Sequence, residues 1–271
     1  MTQPKVILLC GGAGTRLREE TEYKPKPMVA IGDKPILWHI MKVYSSFGFN
    51  DFILCLGFKG DVVRNYFLDY DLLNTDITIQ LGTKEITSHA TFHDEHDWRI
   101  TLAETGLNTM TGGRVKRIEK YVDGDTFMLT YGDGVADINI QDLLRFHHEK
   151  GRIATVTGVH PGARFGQLTL AGDVAAAFRE KPQIEDGWIN GGFFVFNRKM
   201  FDYLGGDDCV LEQEPLERLA ADGELAVYRH DGYWQCMDTV RDMEQLNAEW
   251  ARGDPSWARW LREQHPLQVA R

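Results

Sequence analysis

The chain has 271 residues, 43% of them hydrophobic and 26% charged, which suits a soluble globular protein with one good-sized core and excludes a disordered or fibrous chain. Its formal net charge of -10 lacks the broad positive field needed to neutralise a nucleic-acid backbone, so nucleic acid is not an expected partner. The longest apolar runs, "VILLC" and "FFVF", are too short to cross a bilayer and "MTQPK" carries no signal-peptide pattern, so the expectation is a cytoplasmic protein with no membrane partner. Cys10, Cys55, Cys209 and Cys236 show no CxxC spacing and read as reduced thiols, neither a zinc site nor a disulfide framework.

In chain order, "KVILLC" is a short β-branched apolar run stopped by Gly11-Gly12, a buried strand ending in a tight turn. Ile36, Leu37, Ile40, Met41, Tyr44 and Phe47 then recur at helical spacing, with Pro35 suiting the first turn and Gly48 the stop. "DFILCLGF" is a second buried strand and a helix is expected near Lys59 to Tyr70. "DITIQL" and "RITLAET" read as strands flanking a polar stretch that forms a hairpin or an insertion over the sheet. "RVKRIEKYV" reads as a short amphipathic helix, "TFMLTYGDG" as a strand ending in a glycine turn, and "INIQDLLRFHHEKG" as a helix with a glycine stop. This alternation predicts parallel strands with helical crossovers, an open α/β sheet. Beyond residue 150, "RIATVTGVH", "GQLTL", "VAAAFREK" and "WINGGFFVFN" read as strands extending the sheet or forming a mixed, partly antiparallel part. Helices return in "EQEPLERLAADG" and after "MDTVRDMEQLNAEWARG". No repeat or linker marks a domain boundary.

Glycine after the first strand of such a sheet lets backbone amides approach phosphate oxygens at the strand carboxyl ends. The dinucleotide pattern GxGxxG fails, since Leu17 stands at the third position counted from Gly12 and Gly14, and no Walker GK[ST] follows. What remains is Gly-Gly-x-Gly-Thr-Arg, in which Arg16 offers a planar fork to a triphosphate; the plainer alternative is a tight turn with a surface arginine. "KPKPM" follows, and proline holds each preceding residue extended, so Lys24 and Lys26 are expected on one side of the chain despite Glu19, Glu20 and Glu22 nearby. Asp133 in "YGDGV" sits between glycines after a strand and Asp238 in "QCMDTVRD" precedes a helix. An ordinary Asp-Gly turn and a helix N-cap are the plain readings of these two.

"GGAGTRL", "KPKPM", "KPILWHIMK", "MTGGR", "TYGDGVAD", "EKP", "INGGFF", "EQEPL" and "WQCMDTVRD" occur in this order. Together they resemble the sugar-phosphate nucleotidylyltransferase family from about Lys5 to about Trp260, and "KPKPM", "MTGGR" and "WQCMDT" favour its cytidylyl branch. The resemblance implies a Rossmann-like, open, mixed but mainly parallel sheet flanked by helices, glycosyltransferase-A-like, with a smaller β-rich sugar-binding part. It implies one domain over 1–271, with a nucleotide part to about 135, a sugar-phosphate part over about 136–240 and a helical C-terminal segment. The implied reaction joins CTP and α-D-glucose 1-phosphate into CDP-glucose and pyrophosphate with Mg²⁺, in a homo-oligomer.

By the same resemblance Leu9, Gly11, Gly12, Gly14, Thr15, Arg16 and Gly132 line the nucleotide site, with Thr109 and Arg114 as the part peculiar to the cytidylyl branch. Thr111-Gly112-Gly113 would offer backbone groups to a base edge, or simply cap a helix. Lys26, Arg16 and Asp133 are the implied catalytic groups, Lys26 meeting the reacting phosphates. Asp133 and Asp238 are the implied Mg²⁺ pair. Lys181 is implied to grip the sugar phosphate, with Tyr131, Gly166, Glu180 and Asn190 around the sugar; a surface pair is the plainer reading of Glu180 and Lys181. Two other readings stay open: a sister enzyme using dTTP or UTP, and a catalytically silent nucleotide-sugar sensor. His89, His93 and His96 lack the i, i+4 helical placement of a metal motif. Trp234, Trp250, Trp257 and Trp260 read as core packing or a subunit interface rather than a stacking platform.

Overall fold

A computed structural model describes residues 3–12, 14, 17–89, 93–160, 167–171, 174–179 and 187–264. The strands are Val6–Leu9 (β1), Ala30–Ile31 (β2), Lys34–Pro35 (β3), Asp51–Leu56 (β4), Ile77–Gln80 (β5), Glu85–Ser88 (β6), Arg99–Glu104 (β7), Thr126–Tyr131 (β8), Gly134–Ala136 (β9), Ala154–Val159 (β10), Gln167–Ala171 (β11), Val174–Arg179 (β12), Ile189–Asn197 (β13), Leu225–His230 (β14) and Trp234–Cys236 (β15). The helices are Arg18–Thr21 (α1), Ile36–Ser45 (α2), Gly60–Leu68 (α3), Tyr70–Asn74 (α4), Thr111–Arg117 (α5), Ile140–Lys150 (α6), Glu214–Ala221 (α7), Val240–Ala251 (α8) and Arg259–Gln264 (α9).

The main sheet has seven strands in the order β14-β10-β13-β8-β1-β4-β7. Its pairs are parallel except those of β13, which runs antiparallel to β8 and β10. Alternation along the strands sends side chains to two cores. Val6, Leu8, Leu54 and Met128 pack with α2, α6 and Leu246 of α8 on one face. Ile7, Leu9, Ile53 and Leu129 pack with Val115 of α5 and Leu219 of α7 on the other. Both faces are covered, which is why β1 and β4 read as nearly continuous apolar runs.

Several expectations are corrected. The helix expected over 114–122 begins at Thr111 and passes into a 3₁₀ turn at Glu119–Tyr121. The first-turn role given to Pro35 belongs to β3 and the N-cap, because Pro35 is extended at φ -65°, ψ 150°. Of the two readings of the polar stretch, the hairpin holds: β5 pairs with β6, and both are exposed along almost their whole length. β14, half-buried at the sheet edge, escaped the pattern because apolar Val227 stands on the exposed side and residue type does not alternate with burial. Of the strands after residue 150, β10, β13 and β14 extend the main sheet with the expected mixed character, whereas β11 and β12 form a separate two-stranded sheet.

All four tryptophans expected as core or interface are packed in the fold. Trp257 and Trp260 are buried, and Trp250 and Trp257 pack edge-on against His39 of α2. Trp234 also packs against the core, and it lines the cleft described next. No helix among the described residues is long and apolar enough to cross a membrane.

Candidate active site

The carboxyl ends of β1 and β8 lie side by side, and antiparallel β13 brings its first residues to the same edge. The ribbon of β9 and β15 folds over that edge, pairing Gly134 with Cys236. Between them is a cleft of about 570 Å³. It is lined by every described residue assigned to the site from sequence: Leu9, Gly11, Gly12, Gly14, Lys26, Thr109, Arg114, Tyr131, Gly132, Asp133, Asn190 and Asp238. Thr15, Arg16, Gly166, Glu180 and Lys181 lie outside the described residues.

At its centre the Lys26 ammonium donates to Asp133 Oδ2 and to Asp238 Oδ1, each at 2.6 Å. Local structure delivers all three. Pro25, held extended, starts a 3₁₀ turn at Lys26. Asp133 occupies the turn between β8 and β9, and Met237 N–H donates to its carbonyl at 2.8 Å, which sets Asp238 opposite. The N-cap of α8 is Thr239, closed by a capping box with Asp242, so Asp238 is not spent as the cap. Burial pushes the Lys26 ammonium toward neutrality, but the Asp133 charge and hydrogen bonds to both carboxylates outweigh it and raise its pKa. Lys24 is not presented beside Lys26 as expected: it pairs with Glu20 at 3.1 Å and does not line the cleft, because the chain turns at Lys26.

Arg114 reaches the cleft wall but spends its guanidinium on the fold. One terminal nitrogen donates to Leu56 O, Thr105 Oγ1 and Gly106 O, the other to Gly11 O and Leu107 O, at 2.7 to 3.2 Å. The loops after β1, β4 and β7 are thereby tied to one side chain. A Cβ on Gly11 or Gly57 would run into this guanidinium, which accounts for glycine at both. The backbone groups of 110–113 are also partly committed: Met110 N–H donates to Asp207 O and Gly113 N–H to Cys209 O, so these amides do not face a base.

On the other side Tyr131 and Asn190 share a hydrogen bond of 3.0 Å, and the Tyr131 hydroxyl donates to Glu212 Oε1 at 2.6 Å. Gly191, Gly192, Trp234 and Cys236 line the cleft and were missed from sequence, and Thr111, expected only for its backbone groups, lines it as well. Trp234 and Cys236, two apart on a strand, share one face, a period-2 signal too short to read alone. The Cys236 thiol lies with Asp133 and Asp238 in the one described group whose donor atoms converge as metal ligands do. In the histidine stretch His93 meets Asp71 of α4 at 2.8 Å, and His89 meets Thr78 of the hairpin at 2.9 Å.

The chain matches the "Nucleotidyl transferase" family model over residues 5–252. It is 47% identical over 257 residues to a probable glucose-1-phosphate cytidylyltransferase of Bacillus subtilis, covering 94% of this chain and 100% of the relative. It is 47% identical over 258 residues to the glucose-1-phosphate cytidylyltransferase of Salmonella typhimurium, covering 94% and 99%. Among solved structures, HddC from Yersinia pseudotuberculosis complexed with GMP-PN superposes with a TM-score of 0.66 at 22% identity, covering 92% of this chain and 100% of that one, a likeness of fold. The family model spans most of the sequence and both relatives match almost end to end: the chain belongs to the nucleotidyl transferase family.

Proposed function

We propose that the protein joins CTP and α-D-glucose 1-phosphate, giving CDP-glucose and pyrophosphate. The observation that carries the chemistry is the Lys26 ammonium held between Asp133 and Asp238 at the head of the glycine loop. Cytosine as the base is supported by 47% identity to cytidylyltransferases along almost their whole lengths.

An oxygen of the sugar phosphate attacks the α-phosphorus in line, forming the new P–O bond as the bond to pyrophosphate breaks. Such a transfer asks a protein for positioning and charge neutralisation more than for covalent help. Gly11, Gly12 and Gly14 let the nucleotide phosphates approach backbone. Lys26 donates to the reacting phosphate and supports the charge that develops there. Tyr131 and Asn190 would meet the sugar, and Asp133 and Asp238 would hold the metal.

The residues fit Mg²⁺: two carboxylates already converge on a single cation, the Lys26 ammonium, and supply hard oxygen donors, whereas the Cys236 thiol is a poor Mg²⁺ ligand. When bound, the ion neutralises phosphate charge and orients the oxygens for displacement. Lys26, now on both carboxylates, would share them with such an ion and donate to phosphate.

The test is pyrophosphate release with Mg²⁺ and α-D-glucose 1-phosphate, with CTP, UTP, dTTP, ATP and GTP in parallel. CTP is the expected substrate. Preference for dTTP or UTP overturns the base, and tight nucleotide binding with no release under any condition supports a sensor instead.

A further inference from the structure

Glu212 stands behind the cleft wall, and its two carboxylate oxygens accept from two hydroxyls that come from different sides of the cleft. Oε1 accepts from Tyr131 at 2.6 Å and Oε2 from Thr111 at 2.7 Å. Thr111 belongs to "MTGGR" at the start of α5, whereas Tyr131 ends β8 beside Asn190. No cationic partner of this carboxylate occurs among the described hydrogen bonds and ion pairs.

The hydrogen-bond directions are set by backbone. Gly192 N–H donates to Asn190 Oδ1 at 2.8 Å, so that oxygen is the acceptor and Nδ2 is the atom facing Tyr131. The Tyr131 hydroxyl therefore accepts from Asn190 and gives its own hydrogen to Glu212. Leu211 N–H donates to Thr111 Oγ1 at 2.9 Å, so the Thr111 hydrogen likewise goes to Glu212. Both hydroxyls need an acceptor at residue 212, and a carboxylate supplies two. A glutamine there supplies one acceptor and one NH₂, leaving one hydroxyl hydrogen without a partner. Gly192 adds to the fit, since φ is +80° and a Cβ would meet the Tyr131 ring.

We propose that Glu212 is a positioning residue for the sugar-phosphate acceptor: through Tyr131 it holds Asn190 with one Nδ2 hydrogen committed and the other turned to the cleft. A fixed donor suits a hydroxyl or phosphate oxygen of the sugar phosphate, and the shared contact with Thr111 ties that donor to the nucleotide side. This rests on the reading of the cleft as a nucleotide-sugar synthesis site.

The experiment compares wild type, Glu212→Gln, Tyr131→Phe and the double variant, varying CTP and α-D-glucose 1-phosphate separately. The expected result is a KM for the sugar phosphate raised about tenfold in each single variant, with the KM for CTP within about twofold and the double variant no worse than the worse single. An unchanged sugar-phosphate KM, equal rises for both substrates, or additive losses overturn the proposal. If Glu212→Gln does not fold, Tyr131→Phe keeps the ring, drops only the hydroxyl and carries the same expectation.

A second readout needs no turnover. In protein labelled with ¹⁵N-asparagine, the Asn190 side-chain amide is identified by its loss in Asn190→Ala, and its hydrogen exchange is compared across the variants. Faster exchange in Glu212→Gln and Tyr131→Phe is expected, and exchange equal to wild type overturns the relay. Wild type inactive with CTP and the sugar phosphate would overturn the functional reading instead, leaving the amide exchange to decide the relay.

Discussion

The Lys26 ammonium and the Asp238 carboxylate, 212 residues apart in sequence, meet at 2.6 Å. Asp133 completes the same contact. Under the proposed function a divalent cation would share these two carboxylates with the ammonium, and the two would compete for them.

From that competition, Lys26→Ala should lower turnover about 100-fold, the usual size for loss of a charge-stabilising donor. Without the ammonium, Mg²⁺ should bind the nucleotide-free protein more tightly than it binds wild type, read by calorimetric titration. Pyrophosphate release within about threefold of wild type, roughly 0.7 kcal/mol of barrier, would sink the catalytic role.

Asp133→Asn keeps the shape of the side chain and removes its charge. Mg²⁺-dependent pyrophosphate release should disappear while the thermal midpoint changes little. Full activity would take Asp133 out of the metal shell.

Arg114→Met should destabilise the protein by about 3 kcal/mol, because buried oxygens lose their donors. Arg114→Lys should recover little, since one ammonium cannot span the acceptors a planar fork reaches. Urea midpoints of the three proteins check this, and a lysine variant as stable as wild type would refute it.

His39 makes stability depend on pH. Burial lowers its pKa from 6.5 to about 4, Nε2 meets Ile31 O at 2.9 Å, and Nδ1 accepts from Trp257 Nε1–H at 3.5 Å. A second ring proton would point at another donor. Between pH 6.5 and 4 the unfolded chain takes up the proton and the folded one does not, so stability is full above 6.5 and falls as pH drops toward 4. At pH 5 His39 should contribute a loss of about 2 kcal/mol relative to pH 7; burial lowers His147 to about 4 as well and adds its own loss, so His39→Gln should remove about half of the fall in urea titrations.

Much of the fold was legible because strands buried on both faces and amphipathic helices write their periods locally. β1, β4, β8, α2 and α6 fall where the apolar patterns put them. β6 and β14 were not read: β6 is exposed throughout, and in β14 apolar Val227 faces solvent, so residue type does not follow burial. For the cleft, "GGAG", Lys26, Asp133 and Asp238 stood out by residue type and by family resemblance. Glu212, Trp234 and Cys236 did not, because nothing in "EQEPL" or "WQC" says which distant side chains they will meet.

The sequence by itself determined an α/β sheet, a glycine turn after its first strand, and an acidic chain with basic groups near that turn. Those properties follow from local period, backbone freedom and charge. Only the tertiary structure decided that Lys26 faces two carboxylates while Lys24 faces Glu20, and that Arg114 braces three loops with its guanidinium. Long-range pairing decides such matters: β13 antiparallel to β8 and β15 laid on β9 fix which side chains converge, and no window of sequence contains both partners.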